Sequence, residues 1–141
     1  MFTGSQGGEQ NRAREIGARG EARAAWFLSR RRGYQVLVRN WRSPRDQRDE
    51  IDLICRDGEV IVFVEVKTRA THAAVSGYHA IDHRKKRALL RAADAFLRAL
   101  PRPRPRTFRF DVVELRSVPK PGDTDLHHFE NVPLFPKYYF P

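Results

Sequence analysis

The stretch Glu50-Ile51-Asp52-Leu53-Ile54-Cys55-Arg56-Asp57-Gly58-Glu59-Val60-Ile61-Val62-Phe63-Val64-Glu65-Val66-Lys67-Thr68 contains two β-like runs, Glu50 to Cys55 and Val60 to Thr68, joined by a turn. Asp-Gly between such runs is a strong hairpin signal, because glycine readily takes the positive φ that a tight turn demands. The second run is apolar at nearly every residue up to Glu65, as expected of a central strand buried on both faces. A carboxylate at the end of such a strand needs a physical reason.

With Asp57-Gly58 at the centre of a two-residue turn, paired residue numbers sum to about 115, the turn geometry fixing the register. Asp52 then faces Phe63, and Glu50 faces Glu65. Strand side chains alternate, so Glu50, Asp52, Glu65 and Lys67 share a face, with Asp52 and Glu65 as diagonal neighbours. Carboxylates gathered there repel one another, and burial adds to the cost. A cation must compensate, and the candidates are Lys67 or a divalent ion. Oxygen ligands without a neighbouring Cys or His cluster suit Mg²⁺ or Mn²⁺ better than Zn²⁺. Taken alone, Glu-x-Lys is also read as a solvated strand end carrying an ion pair. Its place after an apolar run and across a hairpin from Asp52 gives it weight.

Working outward, Ala13 to Arg32 has helical periodicity, with Ile16, Ala24, Phe27 and Leu28 on one face and Gly33 as the stop. Arg12, Arg19, Arg23 and Arg30 form a basic stripe away from that face, with Trp26 beside it. Glu21 sits at the margin of the apolar face. Gly17 and Gly20 cost a helix about 1 kcal/mol each relative to alanine, which suits close packing against a sheet and would bring Glu21 to the carboxylates. Tyr34 to Val38 reads as a strand and Pro44 to Arg48 as a loop. After a loop over 70–80, a second helix runs from the N-cap Asp82 to Leu100, with Leu89, Ala92, Ala93, Phe96, Leu97 and Leu100 on one face. Lys85 lies one turn before Leu89 and is placed to reach the same pocket. Arg84, Lys86 and Arg87 read either as phosphate contacts or as a solvated helix start.

Pro101, Pro103 and Pro105 alternate with Arg102, Arg104 and Arg106 in an extended basic connector. Thr107 to Leu115 is a further strand. The order is helix, strand, strand, strand, helix, strand, which implies an α/β fold with a mixed central sheet flanked by helices. Residues 1–10 read as a disordered lead-in, 11–132 as one domain, and 133–141 as an aromatic and proline-rich tail.

The 141 residues carry 27 Lys and Arg against 17 Asp and Glu, a net charge of +10. A polyanionic partner is the simplest explanation, nucleic acid before a membrane surface, because the basic residues do not cluster beside an apolar anchor. One cysteine, Cys55, excludes an internal disulfide and suits a reducing compartment. No apolar run reaches the length of a signal peptide or a membrane span, so the expected location is cytoplasmic.

The residues Gly17-Ala18-Arg19-Gly20-Glu21, Gly33-Tyr34, Arg39-Asn40-Trp41-Arg42, Glu50-Ile51-Asp52-Leu53-Ile54, Phe63-Val64-Glu65-Val66-Lys67-Thr68-Arg69, Lys85 and Arg109-Phe110-Asp111-Val112-Val113 together resemble the YraN-like family of small bacterial proteins. That family is similar in core to Holliday-junction resolvases and restriction endonucleases. The resemblance implies a restriction-endonuclease-like fold in which Asp52 and Glu65 hold the metal, Lys67 assists the attacking water and Glu21 adds a ligand. Glu50 completes the expected metal set of Asp52, Glu65, Glu21 and Glu50. Asp49 departs from the family's usual glycine and is expected to place an extra charge beside the site.

Two readings follow. One is an Mg²⁺- or Mn²⁺-dependent endonuclease on DNA rather than RNA, at branched structures, with Arg19, Arg23, Arg69, Lys85, Lys86, Arg102, Arg104 and Arg106 positioning the backbone. The other is a binding module that keeps the fold without cutting. A homodimer is the candidate assembly.

Overall fold

A computed structural model describes residues 5–69, 81–105, 107–117 and 124–134. Helix α1 (Ser5–Arg30) is followed by strands β1 (Gln35–Arg42), β2 (Glu50–Asp57) and β3 (Val60–Arg69), helix α2 (His83–Ala99), and strands β4 (Thr107–Ser117) and β5 (Thr124–Phe129). The strands form one sheet in the order β1-β2-β3-β4-β5. Only the β3–β4 pair, whose connection contains α2, is parallel; the other three pairs are antiparallel. The α/β architecture with a mixed sheet flanked by helices is the one expected.

Alternation along the buried strands builds two cores, one on each face of the sheet. Phe63, Ile61, Phe110 and Val112 turn toward α2 and meet Leu89, Ala92, Ala93 and Phe96. Val62, Val64, Val113 and Leu115 turn the other way, toward Ala24, Ala25 and Leu28 of α1. Fully burying an aliphatic or aromatic side chain of this kind contributes about 2 kcal/mol. Cys55 is fully buried in the α1-side core, and that burial pushes its thiol up to about 12.

The helix ends agree with their sequence signals. Asp82 caps α2 by accepting a hydrogen bond from the Lys85 N–H at 2.9 Å. Gly33, at φ 72°, turns the chain after α1 while the Tyr34 N–H donates to the Leu28 carbonyl at 2.9 Å.

Four boundaries differ from the sequence reading. Helix α1 begins at Ser5, inside the stretch read as a lead-in. Glu9, Gln10, Arg12, Ala13 and Arg14 have high helix propensity, and the helix runs on through them although residues 7–16 are exposed. Strand β1 runs on to Arg42 past the left-handed Asn40 at φ 51°, a conformation that asparagine tolerates. Strand β5, absent from the sequence reading, is short, and its His127-His128 pair interrupts any apolar alternation. Val132 and Leu134 are buried in the α2-side core, so the body extends two residues into the stretch read as tail. The loop at 70–80, Arg106 and the tail after residue 134 lie outside the described residues.

Hairpin register is the correction that matters for function. Leu53 pairs Val64, Ile54 pairs Phe63 and Asp57 pairs Val60, so the two-residue turn is Gly58-Glu59 and Asp57 closes β2. Gly58 takes the positive φ, 59°, at the first turn position, the demand of a type II′ turn. Relative to the expected register, Asp52 moves from opposite Phe63 to the level of Glu65. A shift of two preserves parity, so the carboxylates are not turned to the other face as a one-residue slip would do.

Candidate active site

The regular β2–β3 ladder ends at Leu53 and Val64, one residue short of Asp52 and Glu65. From there the Asp52 side chain replaces the missing backbone partner: the Val66 N–H donates to Asp52 Oδ2 at 2.8 Å. Ile51 and Ile54 both enter the α2-side core although three residues apart, so strict alternation is interrupted at Asp52. The two strands therefore part at the level of the two carboxylates.

Glu65 is buried, 5% exposed, at the end of the apolar run. Lys67 Nζ from β3 and Lys85 Nζ from α2 both approach its Oε1 at 3.4 Å. Glu65 Oε2 is buried and has no hydrogen-bond partner. A buried carboxylate oxygen without a donor is costly, about 1–3 kcal/mol or more for a charged group, unless something cationic meets it. Asp52 is affected by the same environment. Burial first, and then the charges of Glu65 and Glu21, push its carboxyl up to about 7, against the opposing Val66 N–H and Lys85. A carboxyl so placed holds its proton more tightly than a free one, and a cation beside it would favour the charged form.

Glu21 reaches this end of the sheet from α1. A Cβ built on Gly20 would come within 2.5 Å of Thr68 Oγ1, so glycine there is what lets α1 lie against the end of β3. Gly17 has nothing within 4 Å of such a Cβ, and close packing is not its role. Burial raises the Glu21 carboxyl, a hydrogen bond with Asn40 opposes the rise, and Glu50 and Glu65 add to it. Glu50 itself pairs Arg42, Nε to Oε2 at 3.5 Å, and is partly exposed.

Among the described residues no three Asp, Glu, His or Cys side chains gather closely enough to form a metal-binding group. Asp52 and Glu65 are thus the pair that fits a cation, while Glu21 and Glu50 lie around it. Two carboxylates are enough for Mg²⁺, which keeps several waters and takes further oxygens from substrate phosphates. The orphaned Glu65 Oε2 and the raised Asp52 carboxyl satisfy that fit.

The expected backbone contacts divide by place. Lys85 and Lys86 lie partly buried in the first turn of α2 at the carboxylate end, and Arg69 closes β3 on the same side. Arg19 and Arg23 are exposed on α1. Arg102 and Arg104 follow the other end of α2, about 25 Å along the helix axis. Arg104 donates to the carbonyls of Arg98 at 2.9 Å and Leu100 at 3.4 Å, satisfying the C-terminal turn of α2. With Pro103 and Pro105 it lines a 330 Å³ groove beside Arg56 and Glu59 of the hairpin turn, away from the carboxylates.

Asp49, expected to charge the site, points elsewhere. It is buried and accepts a bidentate pair from Arg91 of α2, Nε to Oδ2 and Nη2 to Oδ1, both at 3.0 Å. Asn40 is a neighbour of the site that sequence reasoning did not single out as a site residue, although Arg39-Asn40-Trp41-Arg42 is among the stretches that carry the family resemblance. Glu114, the register partner of Lys67 on β4, was missed as well; it is fully buried and meets Arg116 Nη2 at 3.3 Å.

Residues 20–115 match the family described as "Uncharacterised protein family UPF0102". A UPF0102 protein of Nitratidesulfovibrio vulgaris (strain DP4) is 45% identical over 97 residues, 69% of each chain. One from Thermosynechococcus vestitus is 40% identical over 119 residues, 82% of this chain and 90% of the relative. One from Roseiflexus castenholzii is 37% identical over 117 residues, 83% and 91% of the two chains. The matched region contains Glu21, Asp52, Glu65, Lys67 and Lys85 together, and the chain belongs to the UPF0102 (YraN) family.

Proposed function

We propose that this protein binds nucleic acid and hydrolyses phosphodiester bonds as an Mg²⁺- or Mn²⁺-dependent endonuclease, on DNA and at branched structures. The observation that carries this reading is the pair of buried Glu65, its Oε2 without a donor, and half-buried Asp52, raised to about 7, with Lys67 and Lys85 on the other Glu65 oxygen. The resemblance of the core to restriction endonucleases and resolvases supplies the reaction class.

Asp52 and Glu65 would hold the ion, which when bound offsets phosphate charge and makes a water more acidic. Lys67, partly exposed at the mouth of the pair, is placed to hold an attacking water or a phosphoryl oxygen. Lys85 brings a second ammonium from α2 against charge that builds up on phosphorus. Glu21, hydrogen-bonded with Asn40, would add a further carboxylate beside the pair. Arg19, Arg23 and Lys86 hold the backbone through phosphates, which convey no sequence information. The net charge of +10 supports the polyanionic partner, and no helix of the described residues is long and apolar enough to cross a membrane. A cytoplasmic setting agrees with the lone buried Cys55.

A non-catalytic binding module is favoured by one observation: among the described residues no three Asp, Glu, His or Cys side chains gather as a metal-binding group. Labelled branched, single-stranded and duplex DNA incubated with wild type and Asp52→Asn, with Mg²⁺ or Mn²⁺, separates the two readings. The nuclease reading expects wild type to cut and the variant to lose at least a hundredfold while binding persists. Binding without cutting by wild type on every substrate overturns it in favour of the module.

A further inference from the structure

The basic stripe of α1 is not absorbed by the carboxylate site, and the structure gives it a setting. A groove of about 510 Å³ runs between α1 and the edge strand β1, lined by Ala25, Trp26, Ser29, Arg30 and residues 36–39. Its walls are well exposed: Trp26 is 44% and Leu37 38% accessible. Leu37 stands out because the β1–β2 register shifts between Val36 and Val38, which gives β1 an extra residue there.

Two guanidinium groups hold the indole. Arg23 lies over the Trp26 ring at 4.8 Å from its centroid and Arg31 at 5.7 Å. Arg30 and Arg39 line the groove as well. A large accessible aromatic among four arginines suits an unpaired base with its phosphates, the base exchanging with a guanidinium over one ring face.

The direction of the groove is also informative. Moving along β1 from Val36 to Asn40 leads to the position beside Asp52, because Arg39 pairs Leu53 and Trp41 pairs Ile51. Moving back along α1 from Ser29 leads to Glu21, which Asn40 hydrogen-bonds and Arg39 faces. The groove therefore opens toward the carboxylate pocket.

We propose that this groove is a base-stacking subsite: Trp26, flanked by Arg23 and Arg31, takes an unpaired base of a strand whose phosphates pass Arg30 and Arg39 toward Asp52 and Glu65. The proposal rests on the nucleic-acid reading above and adds to it a preference for single-stranded segments next to the pocket. A blunt duplex, its bases stacked internally, cannot use the subsite, whereas a flap or a branch can.

The test titrates a 12-nucleotide single strand and a blunt duplex of the same length at fixed low salt, with chelator present so that nothing is cut. Trp41→Phe leaves Trp26 as the only tryptophan of the chain. Its fluorescence is expected to be quenched by the single strand and far less by the duplex. Trp26→Ala is expected to lose about tenfold in single-strand affinity, with duplex affinity kept within about twofold, and Trp26→Phe to restore most of the loss.

Unchanged single-strand affinity in Trp26→Ala, with no quench in Trp41→Phe, overturns the subsite and leaves the nucleic-acid reading standing. Failure of wild type to bind either probe overturns both. A shift from dimer to monomer in Trp26→Ala, read by light scattering, overturns the subsite by showing the groove to be an interface between copies.

Discussion

Two of the regions that bury carboxylates, around Asp111 and around Glu65, treat them in opposite ways. On the α1 face, Asp111 is 1% exposed, and both of its oxygens are in use. Oδ1 accepts from Arg109 Nε and the Asn131 N–H at 3.0 Å, and Oδ2 meets His128 Nε2 at 2.8 Å. Arg109 continues to Asp57 Oδ2 at 3.2 Å and to the Tyr34 hydroxyl, which reaches Glu130. Burial alone would raise the Asp111 carboxyl, but His128, the Asn131 N–H and Arg109 outweigh it and hold it below the ordinary range. At the parted ends of β2 and β3, Asp52 is pushed up to about 7 and Glu65 keeps an oxygen without a donor. The first network satisfies both Asp111 oxygens within the chain, leaves only His128 Nδ1 without a partner among the described residues, and ties β4, β5 and the strand ends together. The second has two lysines on one Glu65 oxygen and no donor on the other, and that open oxygen is what the proposed cation would meet.

The widest separation between the two comes from removing one charge from each. Asp111→Asn leaves Arg109 with Asp57 as its remaining anion and deprives buried His128 of its carboxylate partner, and is expected to cost about 3 kcal/mol, enough to lower the denaturant midpoint sharply. Asp52→Asn removes a charge that the fold opposes and is expected to match or exceed wild type in metal-free urea denaturation. Equal losses from both substitutions would erase the distinction.

A pH series sharpens it further, because the two shifts act with opposite sign. The Asp111 carboxyl is depressed in the folded state, so the stability it contributes is present above the ordinary carboxylate range and lost as pH falls below it. The Asp52 carboxyl is raised, so the folded protein binds more protons than the unfolded chain between about pH 4 and 7. Its contribution is present at low pH and lost as pH rises through about 7. Metal-free wild type should therefore lose on the order of 1 kcal/mol or more between pH 5 and pH 8, a fall that Asp52→Asn flattens and saturating Mg²⁺ opposes. A wild-type profile identical to that of Asp52→Asn would contradict the raised carboxyl.

The smallest effect concerns Asp49, whose bidentate partner Arg91 is itself 60% exposed. Arg91→Ala leaves the Asp49 carboxylate buried without its donors and is expected to lower the thermal midpoint slightly. Mn²⁺ affinity should stay within about twofold, since Asp49 points to α2 and not to the pocket. A large change in metal affinity would return Asp49 to the site.

Much of this was legible in the sequence because strong local signals coincide with buried structure. The apolar run ending at Glu65, the Asp82 cap and the Gly33 stop each have a local physical cause. The carboxylates were found through alternation, which survived an error of two in register because parity was preserved. What escaped was set by tertiary contact. Asp111 and His128 are polar residues whose partners come from β4, β5 and the residues after β5, and nothing near them in sequence announces the pairing. Strand β5 is short and draws its stability from β4 rather than from its own residues. The arginines between the prolines looked like one basic connector, yet Arg104 folds back to satisfy the end of α2, a role that depends on where the helix stops. Glu50 was read as a ligand from its place on the strand, and the structure adds a neighbour the strand pattern did not show, Arg42 at 3.5 Å.

The most direct test of the central claim, that Asp52 and Glu65 await a cation, is calorimetric titration of Mn²⁺ into metal-free protein at pH 6.5 in two buffers of different ionisation enthalpy. Binding of one ion per chain with net proton release, both lost in Asp52→Asn and in Glu65→Gln, is the predicted result. No binding, or binding that is unchanged in both variants, would contradict it.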